Sequence, residues 1–256
     1  MIKVIVSGIS GRLGTALRTI VKEDPGFDKF EIVAGFDQAD GLIDDIPVFS
    51  LPRTDLVEIP VADVVIDFSN YAFVPEVLRW CTTTKTPVVV ATTALGAPEL
   101  ELLNETASSI PVFHSSNMSL GVNLVAKMSQ LAAPVIEDGF NMEIVETHHN
   151  MKKDAPSGTA ILIADAINEV LEKPKEYVFG RHGRDEAPSI SELGIHAVRG
   201  GSIPGQHMVM FAGPDEVIEI THTVYSTKVF AAGALKAAAY LGGKPPGMYN
   251  MNSLIG

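Results

Sequence analysis

The stretch VIVSGISGRLGTAL, residues 4–17, joins a β-branched run to three evenly spaced glycines and the start of a helical pattern. Gly8, Gly11 and Gly14 would let the backbone turn tightly between strand and helix. They would also let a pyrophosphate approach the N–H groups at the helix N-terminus, where the helix dipole favours negative charge. The spacing is G-x-x-G-x-x-G, because Val6 stands where the G-x-G-x-x-G pattern has its first glycine. The stretch predicts a dinucleotide-binding turn, with an ordinary tight turn as the alternative.

An acidic residue follows the second apolar run of the chain. In AGFDQADG, residues 34–41, Asp37 would end the second strand, where a carboxylate can accept hydrogen bonds from ribose hydroxyls. A carboxylate repels a 2′-phosphate, and Gln38 places no cation beside it, so this position favours NADH. Arg12 could still reach a phosphate, which leaves NADPH open. The alternative is that Asp37 only caps a loop.

The first half of the chain alternates short β-branched runs with helical segments. The pattern predicts helices near 12–22, 74–83 and 98–107, and strands at 2–6, 30–36, 63–68, 87–93 and 110–115. Runs such as VVVA and VVID are apolar on both faces, which is typical of strands buried in a parallel sheet between two layers of helices. We therefore predict an α/β fold with a Rossmann-type, doubly wound parallel sheet.

The pattern changes after Ser119. A helix at 121–133 leads into a strand at 141–149 and a helix from about Ser157, and the later strands are separated by turns, as in a mixed or antiparallel sheet. We predict a second, α+β domain at 120–228, which binds substrate and mediates oligomerisation. The dinucleotide-binding domain is then 1–119, completed by the Ala-rich helix and the residues after it, 229–256.

Composition excludes several classes of function. The 256 residues are 46% apolar and carry a net charge of −12, which disfavours a nucleic-acid partner. Cys81, the sole cysteine, lies in a helical pattern typical of a buried thiol. The N-terminus reads directly as a strand, and no apolar run reaches about 18 residues. We expect a cytoplasmic protein with no membrane partner.

Small polar residues follow three of the predicted strands, in the loops DFSNY at 67–71, ATTALG at 91–96 and HSSNMS at 114–119. In a doubly wound sheet the ligand lies beyond the carboxyl ends of the strands, so these residues can present hydroxyls, amides and backbone to a nicotinamide ribose and carboxamide. Turns at strand ends often have this composition for local reasons, which is the alternative. The most notable of these residues are Thr92, Thr93, Ser115, Ser116 and Asn117.

The stretch ETHHNMKKDAPSGTA, residues 146–160, contains the densest group of proton-carrying side chains. Strand alternation would place Glu146 and His148 on one face and His149 on the other. If the chain then turns, Lys152 could meet His148, and a histidine beside an ammonium group is a plausible proton donor to a developing carbanion. An ordinary solvated loop is the alternative.

The PSGT segment that follows predicts an anion site. Ser157 is suited to the N-cap of an amphipathic helix, so that Gly158 and Thr159 would offer N–H groups to a carboxylate. A metal site is not expected, because the adjacent histidines lack an H-x-x-x-H, H-E-x-x-H or paired-cysteine spacing. The remaining histidines, which include His207, are scattered and are expected to be structural.

Taken together, these stretches resemble the 4-hydroxy-tetrahydrodipicolinate reductase family, also called dihydrodipicolinate reductases. The specific match is ETHHNMKKDAPSGT to the family signature E-x-H-H-x-x-K-x-D-A-P-S-G-T. Supporting matches are GISGRLG, ATT at 91–93, SSNMSLGVN at 115–123, RGGSIPGQH at 199–207 and FAAGA at 230–234. The resemblance spans nearly the whole chain.

The resemblance implies a Rossmann-type domain, a substrate domain inserted before the last helix, and a homotetramer. It implies NADH- or NADPH-dependent reduction of (2S,4S)-4-hydroxy-2,3,4,5-tetrahydrodipicolinate, a small cyclic dicarboxylate, to 2,3,4,5-tetrahydrodipicolinate with loss of water, in lysine biosynthesis through diaminopimelate. In that scheme His148 and Lys152 are catalytic, and His149, Gly158 and Thr159 bind substrate. The cofactor-binding positions are Gly8, Ile9, Ser10, Gly11, Arg12, Leu13, Asp37, Ala91, Thr92, Thr93, Ser115, Ser116, Asn117 and Met118.

Two departures from the family pattern and two alternative functions remain. Some members carry a basic residue where this chain has Gln38, and most carry an arginine where it has Thr227, although Lys228 follows. A semialdehyde dehydrogenase would need a loop cysteine, for which Cys81 is poorly placed. A nucleotide-sensing protein that has lost catalysis would not need the intact set of His148, Lys152, Gly158 and Thr159.

Overall fold

The computed structural model describes residues 1–52, 59–183 and 187–256. They form two compact units. The first unit comprises Met1–Leu120 and Thr227–Gly256, and the second comprises Gly121–Ser226. The predicted domain borders, after residues 119 and 228, lie one residue before and two residues after the borders of these units.

The described residues contain the following elements. The strands are β1 Ile2–Ser7, β2 Phe30–Asp37, β3 Gly41–Ile43, β4 Ile46–Ser50, β5 Val64–Asp67, β6 Val88–Val90, β7 Pro111–His114, β8 Asn141–His148, β9 Glu176–Phe179, β10 Glu192–Arg199, β11 Gln206–Ala212, β12 Val217–Thr223 and β13 Gly247–Tyr249. The helices are α1 Arg12–Glu23, α2 Val74–Thr84, α3 Ala97–Ala107, α4 Leu120–Ala132, α5 Gly158–Asn168, α6 Lys228–Leu241 and α7 Met251–Ile255. No helix among these is long and apolar enough to cross a bilayer.

The sheet of the first unit has the strand order β13-β7-β6-β5-β1-β2-β4-β3. Every neighbouring pair is parallel except β3 and β4. The chain passes from β1 to β2 on one side and returns to β5 on the other, so the winding direction reverses beside β1. This arrangement confirms the predicted Rossmann-type sheet, whose ligand site lies at such a reversal, beyond the carboxyl ends of the strands.

Both faces of this sheet are buried, as the continuous apolar runs predict. Val4 and Val6 of β1 pack in one cluster with Leu17 of α1 and with α6. Ile5, which points to the opposite face, packs in a second cluster with α2 and α3. Because side chains alternate along a strand, one continuous apolar sequence contacts a layer of helices on each face of the sheet.

The sheet of the second unit has the order β12-β11-β8-β10-β9. β10 runs parallel to β8 and β9, while β11 runs antiparallel to β8 and β12. On its covered face Met142 and Ile144 of β8 pack with Ile163 and Ile167 of α5 and with Val125 of α4. This mixed sheet confirms the predicted α+β character of the second half.

The sequence reasoning missed four short strands, β3, β4, β9 and β13. The hairpin of β3 and β4 turns through Asp44 and Asp45, both with positive φ (51° and 64°), without the glycine that usually signals such a turn. β4 also contains Pro47, which argues against a strand in sequence-based prediction. The strand predicted at 87–93 forms only over Val88–Val90, so Thr92 and Thr93 lie in the loop beyond it.

Candidate active site

The glycine turn packs its backbone against the end of β5. Gly8 has φ of +72°, and a Cβ there would lie 2.9 Å from the carbonyl oxygen of Phe68. A Cβ on Gly14 would lie 2.5 Å from the carbonyl oxygens of both Gly8 and Ile9. Gly11 is the N-cap of α1 and has no side chain to cover the helix end. The turn thus forms a backbone cradle at a helix N-terminus, which suits a phosphate group.

Asp37 is fixed beside this cradle. Its Oδ2 accepts hydrogen bonds from the Ser10 backbone N–H at 3.1 Å and from the Ser10 hydroxyl at 2.6 Å, and its Oδ1 accepts from the Gln38 N–H at 2.9 Å. Partial burial raises the pKa of Asp37, but these hydrogen bonds outweigh burial and leave the pKa below its usual value. An ionised carboxylate is therefore held at the end of β2.

A cleft of about 400 Å³ opens at the reversal of the sheet. Its lining combines the glycine turn, the end of β2 and the loop after β5, and so holds four of the predicted cofactor positions. The lining residues are Gly8, Ser10, Gly11, Asp37, Gln38, Phe68, Ser69, Asn70, Ala72 and Phe73. Gln38 and the residues from 68 onward were not among the predicted cofactor positions, although the loop DFSNY was predicted to follow a strand end.

The other predicted cofactor positions are distributed differently. Ile9, Ala91 and Met118 are buried apolar side chains, Arg12, Thr93 and Ser116 are exposed, and Leu13 and Ser115 are half-buried. Asn117 is buried, and its side-chain oxygen accepts from the Ser119 N–H at 2.9 Å. Of these positions, residues 91–93 and 115–118 lie in the loops after β6 and β7. Those strands continue the parallel sheet from β5, so these loops lie further along the same edge of the sheet.

The side chain of Thr92 forms a hydrogen bond with a buried carboxylate. Its hydroxyl donates to Asp67 at 2.5 Å, and the Ser69 hydroxyl donates to the same side chain at 2.6 Å. Asp67 is wholly buried, and burial raises its pKa above the usual value despite these hydrogen bonds. The side chain of Thr92 therefore links the loop after β6 to the end of β5.

In the second unit, β8 alternates as predicted. Its burial pattern is strictly periodic, with Glu146 fully buried and His148 8% exposed on the covered face. His149 lies just past the strand end and is half-buried. The two adjacent histidines of the sequence therefore have different surroundings, and His148 alone joins the buried network.

Glu146 accepts four hydrogen bonds in this network. Its Oε2 lies 2.6 Å from Nδ1 of His148 and accepts from Nη1 of Arg199 at 2.7 Å. Its Oε1 accepts from Nη2 of Arg199 at 2.7 Å and from the Ser157 backbone N–H at 2.9 Å. Burial raises the pKa of Glu146, but the bonds from Arg199, His148 and Ser157 outweigh burial and hold the pKa below its usual value.

His148 experiences opposing influences. Burial lowers its pKa most, the Glu146 carboxylate raises it, and the positive charges of Lys152 and Arg199 lower it, so that the pKa lies below 6.5. The opposite ring nitrogen, Nε2, lies against Gly205, where a Cβ would be 3.1 Å from it. The lowered pKa favours neutral imidazole, and Gly205 leaves open the space beside Nε2 that a side chain would occupy.

Lys152 follows His148 in a turn. The Lys152 N–H donates to the carbonyl of His149 at 3.1 Å, and its ammonium group contacts both carboxylate oxygens of Asp154 at 2.9 and 2.8 Å. Arg199 donates to the backbone carbonyl of Asp154 at 2.6 Å. The cation that binds Glu146 thus also holds the loop that carries Lys152.

The helix after this loop begins as predicted. Ser157 is the N-cap of α5, and its hydroxyl accepts from the Ala160 N–H at 3.2 Å. Gly158 is exposed, and a Cβ there would meet nothing within 4 Å. Thr159 is half-buried in the same first turn. The N-terminus of α5 is open to a ligand at Gly158.

His207 was expected to be a scattered, structural histidine, and the structure places its ring against that of His148. Their ring centroids lie 5.1 Å apart at an angle of 71°, and Nε2 of His207 lies 3.0 Å from the Ser157 hydroxyl. His207 is 3% exposed, and burial, with a smaller contribution from His148, lowers its pKa to about 4. A neutral His207 therefore shares a hydrogen bond with the Ser157 hydroxyl through Nε2.

Sequence reasoning also left Glu146, Arg199 and Gly205 out of the site. A signal existed for each, since Glu146 was placed on the His148 face and the other two lie in the stretch RGGSIPGQH, residues 199–207. Among the described residues, no cluster of three or more His, Cys, Asp or Glu side chains has a geometry that could hold a metal ion.

Comparison with known proteins identifies the family. Residues 2–118 match the family model for the N-terminus of dihydrodipicolinate reductase, and residues 121–255 match the model for its C-terminus. The chain belongs to the dihydrodipicolinate reductase family. This membership bears out the resemblance drawn from the ETHHNMKKDAPSGT stretch, and makes the chain an NAD(P)-dependent oxidoreductase.

Relatives in this family match the chain along its full length. It is 50% identical to the 4-hydroxy-tetrahydrodipicolinate reductase of Caldanaerobacter subterraneus subsp. tengcongensis, covering 100% of this chain and 98% of the relative. It is 42% identical to the enzyme of the same name from Clostridium tetani, covering 100% and 97%. The fold matches that of a dipicolinate-bound dihydrodipicolinate reductase from Paenisporosarcina sp. TG-14, with a TM-score of 0.80, 24% identity, and coverage of 98% and 99%.

Burial of a neutral His207 predicts a loss of stability in mild acid. An unfolded histidine binds a proton near pH 6.5, whereas folded His207 does so only near pH 4. The unfolded state therefore binds more protons in this window, and the free energy of unfolding falls by about 3 kcal/mol from this group as the pH falls through it. Between pH 7 and pH 4.5 we expect the free energy of unfolding of His207→Gln to fall by about 2 kcal/mol less than that of the wild type, as measured by denaturant unfolding.

The control is His182→Gln, which replaces an exposed histidine and should retain the full pH dependence. If His207→Gln and the wild type lose equal stability over this range, the buried ring is not held neutral as described.

Proposed function

We propose that this chain reduces (2S,4S)-4-hydroxy-2,3,4,5-tetrahydrodipicolinate to 2,3,4,5-tetrahydrodipicolinate with loss of water, as the name of its relatives describes. This reaction would be a step of lysine biosynthesis through diaminopimelate. The observation that carries the proposal is the full-length family match combined with the network around His148. That network joins a buried histidine, a nearby ammonium group and an open helix N-terminus within one unit. These are the groups that reduction of an anionic, imine-containing ring requires.

The first unit is proposed to hold the nicotinamide cofactor, which supplies the hydride when bound. The backbone cradle of Gly8, Gly11 and Gly14 suits a pyrophosphate, and it leaves no space for a side chain at Gly8 or Gly14. Asp37 would accept hydrogen bonds from the adenosine ribose, and the loops after β6 and β7 would contact the nicotinamide end. The proposed positions are the fourteen named from the family resemblance, with Phe68, Ser69 and Asn70 added from the cleft.

The second unit is proposed to hold the dicarboxylate. The N–H groups at Gly158 and Thr159 head α5, where the helix dipole attracts a carboxylate. His149 and Lys152 would supply further hydrogen bonds and positive charge in a chain whose net charge is −12. Local cations must therefore offset the repulsion that the acidic surface exerts on the substrate.

His148 and Lys152 are proposed to supply the protons. In the free protein the pKa of His148 lies below 6.5, with burial as the largest cause. A bound dianion would add negative charge beside the ring and favour its protonated form. We therefore expect the pKa that governs kcat to lie above the pKa that governs kcat/KM, because the first belongs to the substrate complex and the second to the free enzyme.

The alternative of semialdehyde dehydrogenase chemistry has no support at the cysteine. Cys81 is fully buried, and burial raises its pKa well above the usual value. A buried neutral thiol is a poor nucleophile.

We also propose that the second unit assembles the chain into the homotetramer that the family resemblance implies. Leu124, Met128 and Leu131 form an exposed stripe on α4, and Val217 and Ile218 are exposed on the edge strand β12. Exposed apolar clusters and sheet edges of this kind mark association surfaces. Light scattering should give about four times the chain mass of 27.3 kDa; a monomer would contradict this proposal.

The function is tested by supplying purified protein with the cyclic substrate and NADH or NADPH. We expect cofactor oxidation that depends on the substrate and yields one tetrahydrodipicolinate per cofactor oxidised. Cofactor binding without substrate-dependent oxidation would instead favour a nucleotide-binding protein that has lost catalysis.

Removal of the proposed proton donors should impair turnover. His148→Ala and Lys152→Ala are each expected to lower kcat by at least about tenfold, since a general acid acts in the transition state. Affinity for NADH, measured by fluorescence titration, should stay near the wild-type value. Lys153→Ala removes the exposed neighbouring lysine and is the matched control. Normal turnover in both test variants would remove His148 and Lys152 from catalysis.

Asp37 is expected to favour NADH over NADPH, since its ionised carboxylate can accept from a ribose hydroxyl and repels a 2′-phosphate. Asp37→Ala should weaken NADH binding by about tenfold, the value of one hydrogen bond to a charged group, and NADPH binding by less. Asp28→Ala, which removes an exposed acid outside the cleft lining, should change neither. Equal losses of affinity for both cofactors would mean that Asp37 does not distinguish a ribose hydroxyl from a 2′-phosphate.

A further inference from the structure

Among the described residues of the second unit, the most deeply buried charge belongs to a residue with no role in the proposed chemistry. Glu146 is fully buried and is bound on both oxygens. We propose that Glu146 is a positioning residue for His148, which fixes the ring so that Nε2 is the atom that exchanges the proton with substrate. This inference rests on the proposed role of His148.

The first support is the identity of the bonded atom. A carboxylate whose pKa is held low is an acceptor without a proton of its own. The 2.6 Å contact with Nδ1 of His148 therefore requires a hydrogen on Nδ1. Neutral imidazole carries one ring hydrogen, so Nε2 is left with a lone pair and becomes a donor only when the ring is protonated.

The second support is the balance of charge around the ring. Lys152 from the turn, Arg199 from β10 and His207 from β11 face His148, and the first two disfavour its protonated form. Glu146 of β8 is the acidic group that opposes them. Without this carboxylate, His148 would be a buried ring beside two cations and a weaker base.

The third support is the rigidity of the carboxylate. Arg199 binds both oxygens in parallel, which fixes the plane of the group. The Ser157 N–H, at the start of α5, donates to one carboxylate oxygen of Glu146. Arg199 also donates to the backbone carbonyl of Asp154. Glu146 therefore aligns His148 with the Lys152 loop and with the helix N-terminus proposed to hold a substrate carboxylate.

The chain contains a matched control on the opposite face of the same strand. Glu143 accepts from Nη1 of Arg181 at 2.6 Å and from Nε2 of His196 at 2.8 Å. It is thus a glutamate bound by an arginine and a histidine, but it has no contact with His148. Replacing it tests the general effect of disturbing such a set in β8.

The experiment compares Glu146→Gln with Glu143→Gln by steady-state kinetics across pH. Glu146→Gln is expected to lower kcat by about tenfold or more, with a smaller change in KM. A proton donor acts when protonated, so the rate falls as pH rises through its pKa. Loss of the carboxylate lowers that pKa, and the falling limb should move to lower pH. Glu143→Gln should change neither kcat nor the pH at which the rate falls.

A double-variant comparison distinguishes positioning from general destabilisation. In a His148→Gln background, Glu146→Gln should cause little further loss of kcat, because the residue acts through His148. An equal fold-loss in both backgrounds, or a wild-type kcat and pH profile in Glu146→Gln, overturns the inference. If His148→Gln alone turns over normally, it is the proposed role of His148 that fails.

If Glu146→Gln does not fold, as circular dichroism and thermal melting would reveal, Glu146→Asp replaces it in the same two comparisons. Aspartate keeps the charge but shortens the reach to Nδ1 by one methylene. We expect it to lower kcat in the wild-type background while leaving the pH limb closer to its original position, and to change little in the His148→Gln background. The outcomes that overturn the inference are an equal fold-loss of kcat in both backgrounds, or a wild-type kcat in Glu146→Asp.

Discussion

The paired hydrogen bonds between Glu146 and Arg199 join two strands, a turn and a helix N-terminus in the second unit. Removing a carboxylate from water costs several kcal/mol, and only nearly complete hydrogen bonding offsets that cost. Here both oxygens are bound, and one of the four contacts is to His148. The surroundings that stabilise the buried charge are therefore the same groups that orient the proposed proton donor.

A different constraint governs the first unit, where close packing of one backbone segment against another determines the geometry of the glycine turn. Gly8 and Gly14 have no space for a side chain, since a Cβ on Gly8 would lie within 3 Å of the Phe68 carbonyl oxygen and one on Gly14 within 3 Å of carbonyl oxygens of the turn. Asp37 then bonds to Ser10 and closes the turn onto the end of β2. A phosphate cradle and a ribose acceptor thus arise together from strand order and glycine placement.

Local patterns in the sequence predicted most of the strands, the α5 N-cap and the alternating faces of β8, because each depends on residues within one element. Arg199 and His207 were missed as site residues because they contact Glu146 and Ser157 across 53 and 50 residues of chain, through strand neighbours that no local period specifies. The β3–β4 hairpin was missed because aspartates occupy its positive-φ positions. The roles of individual residues came from the family signature rather than from spacing.

The tautomer of His148 tests the account most directly, because every step assigned to this residue assumes that Nδ1 carries the hydrogen. It can be measured by nitrogen NMR of protein labelled with 15N-histidine, with the His148 signals assigned by their loss in His148→Gln. At neutral pH the account predicts a protonated Nδ1 and an unprotonated Nε2. A hydrogen on Nε2 with a bare Nδ1 would contradict it.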